Sequence, residues 1–171
     1  YLLAWSYGGG ELTRWEGGHW APHFQAGQKL KGLEITALWE DPDDHLWVGT
    51  RSGGLFFDSP HEGLAAVPDR EGRSIPEISG IARDSEGRLW IASFRHGIWR
   101  GETASLTSPS LRPLTFPDFN PRIIGLLPGP RGEMWMGTGG GMFRYYRGAL
   151  DFLEPGVGEF KATNVFSMTY D

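Results

Sequence analysis

Four short glycine-rich stretches of this chain hold the side chains best suited to chemistry. They read "SYGGG" from Ser6, "TRSGG" from Thr50, "SFRHG" from Ser93 and "TGGG" from Thr138. Tyr7, Arg51, Phe94, Arg95 and His96 are the positions at which one stretch departs from the others. Guanidinium forks pair with carboxylates or sulfates, and aromatic rings cover flat sugar faces, so this set suits an acidic or sugar-like ligand. The plainer account of the same residues is a solvated surface. Catalysis would ask for more: a lyase or hydrolase needs an acid/base pair, such as His96 with a glutamate opposite, and nothing in the sequence marks a nucleophile.

Other candidate chemistry is thinner. His19 and His23 have the spacing of a helical metal pair, but on a strand they stand about 13 Å apart and cannot share a metal. The acidic turns "DPDDH" (41–45) and "DSEGR" (84–88) do not supply the six oxygens of a calcium loop. Asp41 and Asp84 are better read as capping their own turns. "SYGGG" and "GTGGG" lack the lysine and following helix of a phosphate loop. No cofactor and no metal is expected.

What positions these residues is a repeat. "HLWVGTRSGGLFF" from His45 returns as "RLWIASFRHGIW" from Arg88 and "EMWMGTGGGMF" from Glu133, with a weaker echo, "LLAWSYGGGELTRW", from Leu2. Trp47, Trp90 and Trp135 occupy one register, in steps of 43 and 45 residues, and Leu3 takes that place near the start. A second element precedes each phrase: "ITALWED" at Ile35, "ISGIARD" at Ile78, "IIGLLPG" at Ile123 and "VFSMTYD" at Val165. One unit splits into four strand-length runs, Ile78–Asp84, Arg88–Ser93, Gly97–Glu102 and Leu111–Phe116, divided by turn signals. A period near 44 with four short strands predicts an all-β propeller of four-stranded antiparallel blades.

The repeats run approximately 1–34, 35–77, 78–122 and 123–164. Residues 165–171 form the first strand of a further or closing blade. The chain is thus a closed four-blade ring, an arc of a larger ring, or a set of blades completed by a second copy through its terminal strands. Ala37, Gly80, Gly125 and Ser167 are small because innermost strands crowd the axis; Leu38, Ile81, Leu126 and Met168 fill the space between blades. The repeated tryptophans are expected to be buried between blades, each indole N–H bonded to backbone. Trp5 and Trp39 stand where other repeats have smaller residues, and read as compensating core packing rather than stacking platforms.

Composition sets the outer bounds. The 171 residues carry 39% hydrophobic and 22% charged side chains, ordinary for a folded chain, with 26 Gly, 12 Pro and 8 Trp that favour turns and large anchors. A net charge of −5 without any Lys/Arg run argues against nucleic acid or an anionic membrane surface as partner. No stretch is long and apolar enough for membrane insertion. The absence of cysteine excludes disulfides and thiolate chemistry but assigns no compartment.

The units resemble the two-component regulator propeller repeat. Asp84, Gly87, Leu89, Trp90, Ile91, Gly97 and Ile98 carry the likeness. So do Asp41, Leu46, Trp47, Val48, Gly49, Thr50, Gly54 and Leu55 one repeat earlier, and Gly132, Met134, Trp135, Met136, Gly137, Thr138, Gly141 and Met142 one repeat later. The resemblance implies a sensory propeller, extracytoplasmic or periplasmic, in a hybrid histidine kinase or related regulator. It would be a non-catalytic recognition module for a carbohydrate or small acidic ligand. Similar blades also occur in the streptogramin lyase family, which makes a lyase or hydrolase the alternative. A purely structural scaffold is the second.

Overall fold

The computed structural model describes residues 2–5, 11–22, 29–41, 45–59, 63–101, 109–116, 122–153, 165 and 168. Every regular element among them is a β-strand. Blade 1 comprises β1 (Leu2–Trp5), β2 (Leu12–Glu16) and β3 (His19–Pro22). Blade 2 comprises β4 (Ile35–Glu40), β5 (Leu46–Thr50), β6 (Leu55–Ser59) and β7 (Gly63–Val67). Blade 3 runs through β8 (Ile78–Arg83), β9 (Leu89–Ser93), β10 (Gly97–Gly101) and β11 (Arg112–Leu114). Blade 4 runs through β12 (Ile123–Pro128), β13 (Met134–Thr138), β14 (Gly141–Tyr146) and β15 (Ala149–Leu153). Each sheet is an antiparallel meander in chain order. Blades 2 to 4 show four strands and blade 1 shows three among the described residues. Of the segment expected to continue beyond blade 4, only Val165 and Met168 lie among the described residues.

Period-two alternation builds the core. The second strand of a blade is buried on both faces, so its successive side chains enter two different interfaces. In β5, Leu46 and Val48 join Leu12, Leu30, Ile35, Phe56 and Leu64, while Trp47 points the other way. It meets Ile78, Ile81, Leu89 and Ile91 of blade 3. In β9, Trp90 and Ala92 turn toward Ile123, Met134, Met136 and Tyr145 of blade 4. Trp47 and Trp90 are wholly inaccessible to solvent, which contributes roughly 1.5–3 kcal/mol apiece. Trp135 is only half-buried, with the Arg144 guanidinium 5.8 Å from its ring. Trp39 packs against the interface between blades 2 and 3, as a core residue would.

The inner strands share one irregularity. The pairing of β4 with β5, β8 with β9 and β12 with β13 each slips at the second residue of the inner strand. Thr36 and Ser79 use this displaced position to hydrogen-bond carbonyls of the neighbouring strand, Gly49 O and Ala92 O. Thr36 Oγ1 also donates to Ile78 O of the next blade. Close blade approach explains small residues on both sides of the joint. A Cβ at Gly49 would collide with Ile78, and one at Gly80 would come within 3.1 Å of Leu126 Cγ. Gly125 departs from the crowding expected of it: a Cβ there meets nothing within 4 Å among the described residues.

The acidic turns are capped by their own aspartates, as expected. Asp84 Oδ1 accepts from the N–H of Glu86 (3.0 Å) and Arg88 (2.9 Å). Its Oδ2 accepts from Arg88 Nε and from Trp90 Nε1, both at 2.7 Å. Trp90 is therefore tied to a side-chain carboxylate and not to backbone, which corrects the sequence expectation for this blade. In blade 2, Asp41 Oδ2 lies 3.1 Å from His45 Nδ1, and Trp47 Nε1 finds no partner among the described residues. Blade 4 has Gly129 in place of the aspartate. Glu133 reaches back so that its Oε2 accepts from Arg131 N at 2.9 Å, and an added Cβ at Gly129 would lie 2.5 Å from that oxygen.

Candidate functional site

Four of the five residues singled out by the sequence converge at one end of blades 2 and 3. Tyr7 lies outside the described residues. The turn between β5 and β6 carries Arg51, and the turn between β9 and β10 carries Phe94, Arg95 and His96. Glu77 joins the two turns. Its N–H donates to Arg51 O (2.8 Å) and its carbonyl accepts from Phe94 N (2.7 Å). Glu34 repeats this role one blade earlier, its carbonyl accepting from Arg51 N at 2.9 Å. Glu34 and Glu77 both stand directly before an inner strand, so the connection between blades delivers a carboxylate to this rim each time.

The side chains close the pattern. Arg51 Nε donates to Glu34 Oε2 at 2.7 Å. Arg95 Nη1 reaches Glu77 Oε1 at 3.5 Å, while its guanidinium lies 5.6 Å from the Phe94 ring. His96 Nδ1 lies 3.2 Å from Ser93 Oγ and 3.7 Å from Glu77 Oε2. That carboxylate oxygen is fully covered and makes no hydrogen bond among the described residues. Glu77 also has φ of 50°, a left-handed conformation unusual for a residue with a side chain. About half of each Arg51, Arg95 and His96 side chain remains exposed.

Chemically, the rim is a string of alternating charges, Glu34, Arg51, Glu77 and Arg95, with an imidazole at its end. Sequence reasoning found the cations and missed the acids that hold them. Their signal was present in blades 2 and 3, where Glu34 and Glu77 directly precede the inner strand, while blade 4 has Arg122 there. Ser93 is not an activated nucleophile, because its hydroxyl donates to Pro76 O at 2.7 Å. His96 meets both Ser93 and Glu77 through the same nitrogen, so it does not relay between them. Its Nε2 is the nitrogen left for an external group. Of the histidines weighed as a metal pair, His19 lies on β3 and His23 falls outside the described residues. Among the described residues, no group of three or more His, Cys, Asp or Glu side chains is placed to hold a metal ion. No helix there is long and apolar enough to cross a membrane.

Known folds support the architecture. The extracellular domain of a protein described as a hybrid two component system from B. thetaiotaomicron superposes with a TM-score of 0.68 at 22% identity. That match covers 87% of this chain and 21% of the other. Virginiamycin B lyase from Staphylococcus aureus gives 0.67 at 15% identity, over 88% of this chain and 50% of the lyase. PorZ, a surface component of the type-IX secretion system of Porphyromonas gingivalis, gives 0.67 at 16%, over 92% and 26%. The chain thus spans about a fifth to a half of these proteins. No curated protein matches it by sequence. Residues 67–95, which include β8, β9, Glu77 and Arg95, match the family model of the two component regulator propeller. The chain is therefore an all-β propeller-type structure that carries a two component regulator propeller repeat in its third blade.

Proposed function

We propose that this chain is a non-catalytic recognition module, the ligand-reading part of an extracytoplasmic sensor of the two component kind. The observation that carries this reading is the Glu34–Arg51–Glu77–Arg95 rim. Its arginines are oriented by acids behind them while half of each side chain faces solvent. A ligand carboxylate or sulfate would compete for those forks, and the Phe94 ring beside Arg95 would take the face of a sugar. The extracellular origin of the B. thetaiotaomicron structure supports the compartment. The expected measurement is titration calorimetry with oligogalacturonate and a sulfated disaccharide. Binding by the wild-type chain should fall at least tenfold in the double variant Arg51→Ala/Arg95→Ala. Affinity that survives both changes, or no heat with either glycan, sinks the reading.

A lyase is the second reading, favoured by one observation: His96 Nδ1 faces Glu77 Oε2 at 3.7 Å, which leaves Nε2 as the ring nitrogen available to act as a base. It requires turnover of a cyclic or sugar substrate that disappears in His96→Ala. Turnover unaffected by that change removes His96 from any mechanism.

A further inference from the structure

The opposite end of the blades holds a cavity of about 420 Å³ between blades 3 and 4. It is lined by Arg88, Arg100, Arg131 and Arg147, with Tyr145, Tyr146 and a single carboxylate, Glu86. We propose that this inter-blade cleft binds a compact polyanion, a small molecule bearing two or more sulfate, phosphate or carboxylate groups.

Three observations carry this. First, the charge is uncompensated. Arg88 is held by Asp84 at 2.7 Å and Glu86 at 2.6 Å, but no carboxylate pairs with Arg100, Arg131 or Arg147 among the described residues. Four cations thus face two acids in a chain whose net charge is −5. Second, Arg100 is built into place. Its guanidinium lies 5.6 Å from the Trp90 ring and 5.8 Å from the Tyr145 ring, and its Nη1 donates to Tyr145 Oη at 2.9 Å. Aromatic faces and a phenol orient a guanidinium without neutralising it, so its remaining donors have no carboxylate acceptor among the described residues. Third, Arg147 occupies a costly position. It has φ of 50° in the two-residue turn between β14 and β15, followed by Gly148 at 87°. The equivalent turn of blade 1, between β2 and β3, uses Gly17 at 60° and Gly18 at 87°. Both turns need positive φ at two residues, a demand glycine meets without strain, and blade 4 places an arginine there instead. Strain kept at a cleft is a mark of function rather than of folding.

The test is calorimetry and thermal shift on the whole chain with citrate, pyrophosphate and tripolyphosphate, against sodium chloride at matched ionic strength. Saturable binding of at least one polyanion is expected, and the strongest of the three identifies the preferred headgroup. Arg100→Gln and Arg147→Gly should each weaken binding about tenfold or more. The second also relieves the turn, so its loss of affinity cannot come from misfolding. Arg14→Ala, on β2 of blade 1 and in neither the cleft nor the rim, should leave binding intact. No saturable binding by any polyanion, or full affinity in Arg147→Gly, overturns the proposal.

Discussion

The two ends of blades 2 to 4 use arginine in opposite ways. At the rim, Arg51 and Arg95 each face a glutamate delivered by the connection between blades, so positive charge is met as soon as it appears. At the cleft, Arg100 is held by rings and a phenol, and Arg147 by a strained turn, with no acid against either among the described residues. Each end also contains one of the two described residues other than glycine with positive φ, Glu77 at the rim and Arg147 at the cleft. Where strain positions an acid, it completes a network within the protein. Where it positions a base, it leaves charge for something outside. A paired rim selects among ligands by exchange of partners, whereas an unpaired cleft attracts them by net field.

The comparison breaks most readily at the acids. Asp84→Ala should cost about 3 kcal/mol in urea unfolding, because it strands the half-buried Arg88 and the buried Trp90 N–H together. Glu77→Gln, which keeps the shape of a largely covered side chain and loses only its attraction to the half-exposed Arg95 and His96, should cost no more than about 1 kcal/mol. Equal costs would mean that the two ends are built alike.

A smaller effect is tied to pH. The connection that brings Glu77 to the rim is anchored by Asp69. Burial pushes the Asp69 carboxyl upward, but the Arg73 N–H, the Arg73 guanidinium and the Glu71 N–H outweigh it, and its pKa lies below the ordinary value. The stabilisation is therefore complete above the unfolded value of about 3.9 and is lost as pH falls through the lower folded value. Asp69→Asn should be less stable than wild type near neutrality, with the gap closing in acid. A gap that persists unchanged into acid would show that the carboxylate charge plays no part.

The smallest effect sharpens the strain argument. Arg147→Gly should raise stability by about 0.5–1 kcal/mol, since the left-handed turn no longer carries a side chain. Destabilisation instead would mean that Arg147 makes a contribution to folding, and the contrast between the two strained residues would lose its meaning.

The blades were legible because each packing position recurs: Trp47 and Trp90, or Gly49 and Gly137, solve one problem at one register. A Cβ on Gly137 would lie 2.7 Å from Val165 O, just as one on Gly49 meets Ile78, so the same close approach recurs at both positions. The rim cations were legible as departures from the repeat. Their pairing was not, since Glu34 and Glu77 each close the repeat before the one whose turn they meet, 17 and 18 residues from Arg51 and Arg95. The cleft was illegible for the same reason on a larger scale. Arg88, Arg100, Arg131 and Arg147 come from different turns and strands of two blades, and only the twist between sheets brings them together. One signal went unused. "DREGR" at 69–73 duplicates "DSEGR" at 84–88 and folds the same way, with Asp69 Oδ1 accepting from Glu71 N and Arg73 N. It carries no hairpin, because Ser74, Ile75 and Pro76 follow where a second strand would begin.

The turn of blade 4 has a consequence for blade transplantation. Gly129 and Glu133 hold between them the carboxylate that Asp84 supplies alone, and a side chain at 129 would displace the Glu133 carboxylate from the turn. Positions 129 and 133 are thus coupled: Gly129→Asp should cost more beside Glu133 than when residue 133 changes with it. A blade moved from one ring to another must carry this pair as a single unit of inheritance.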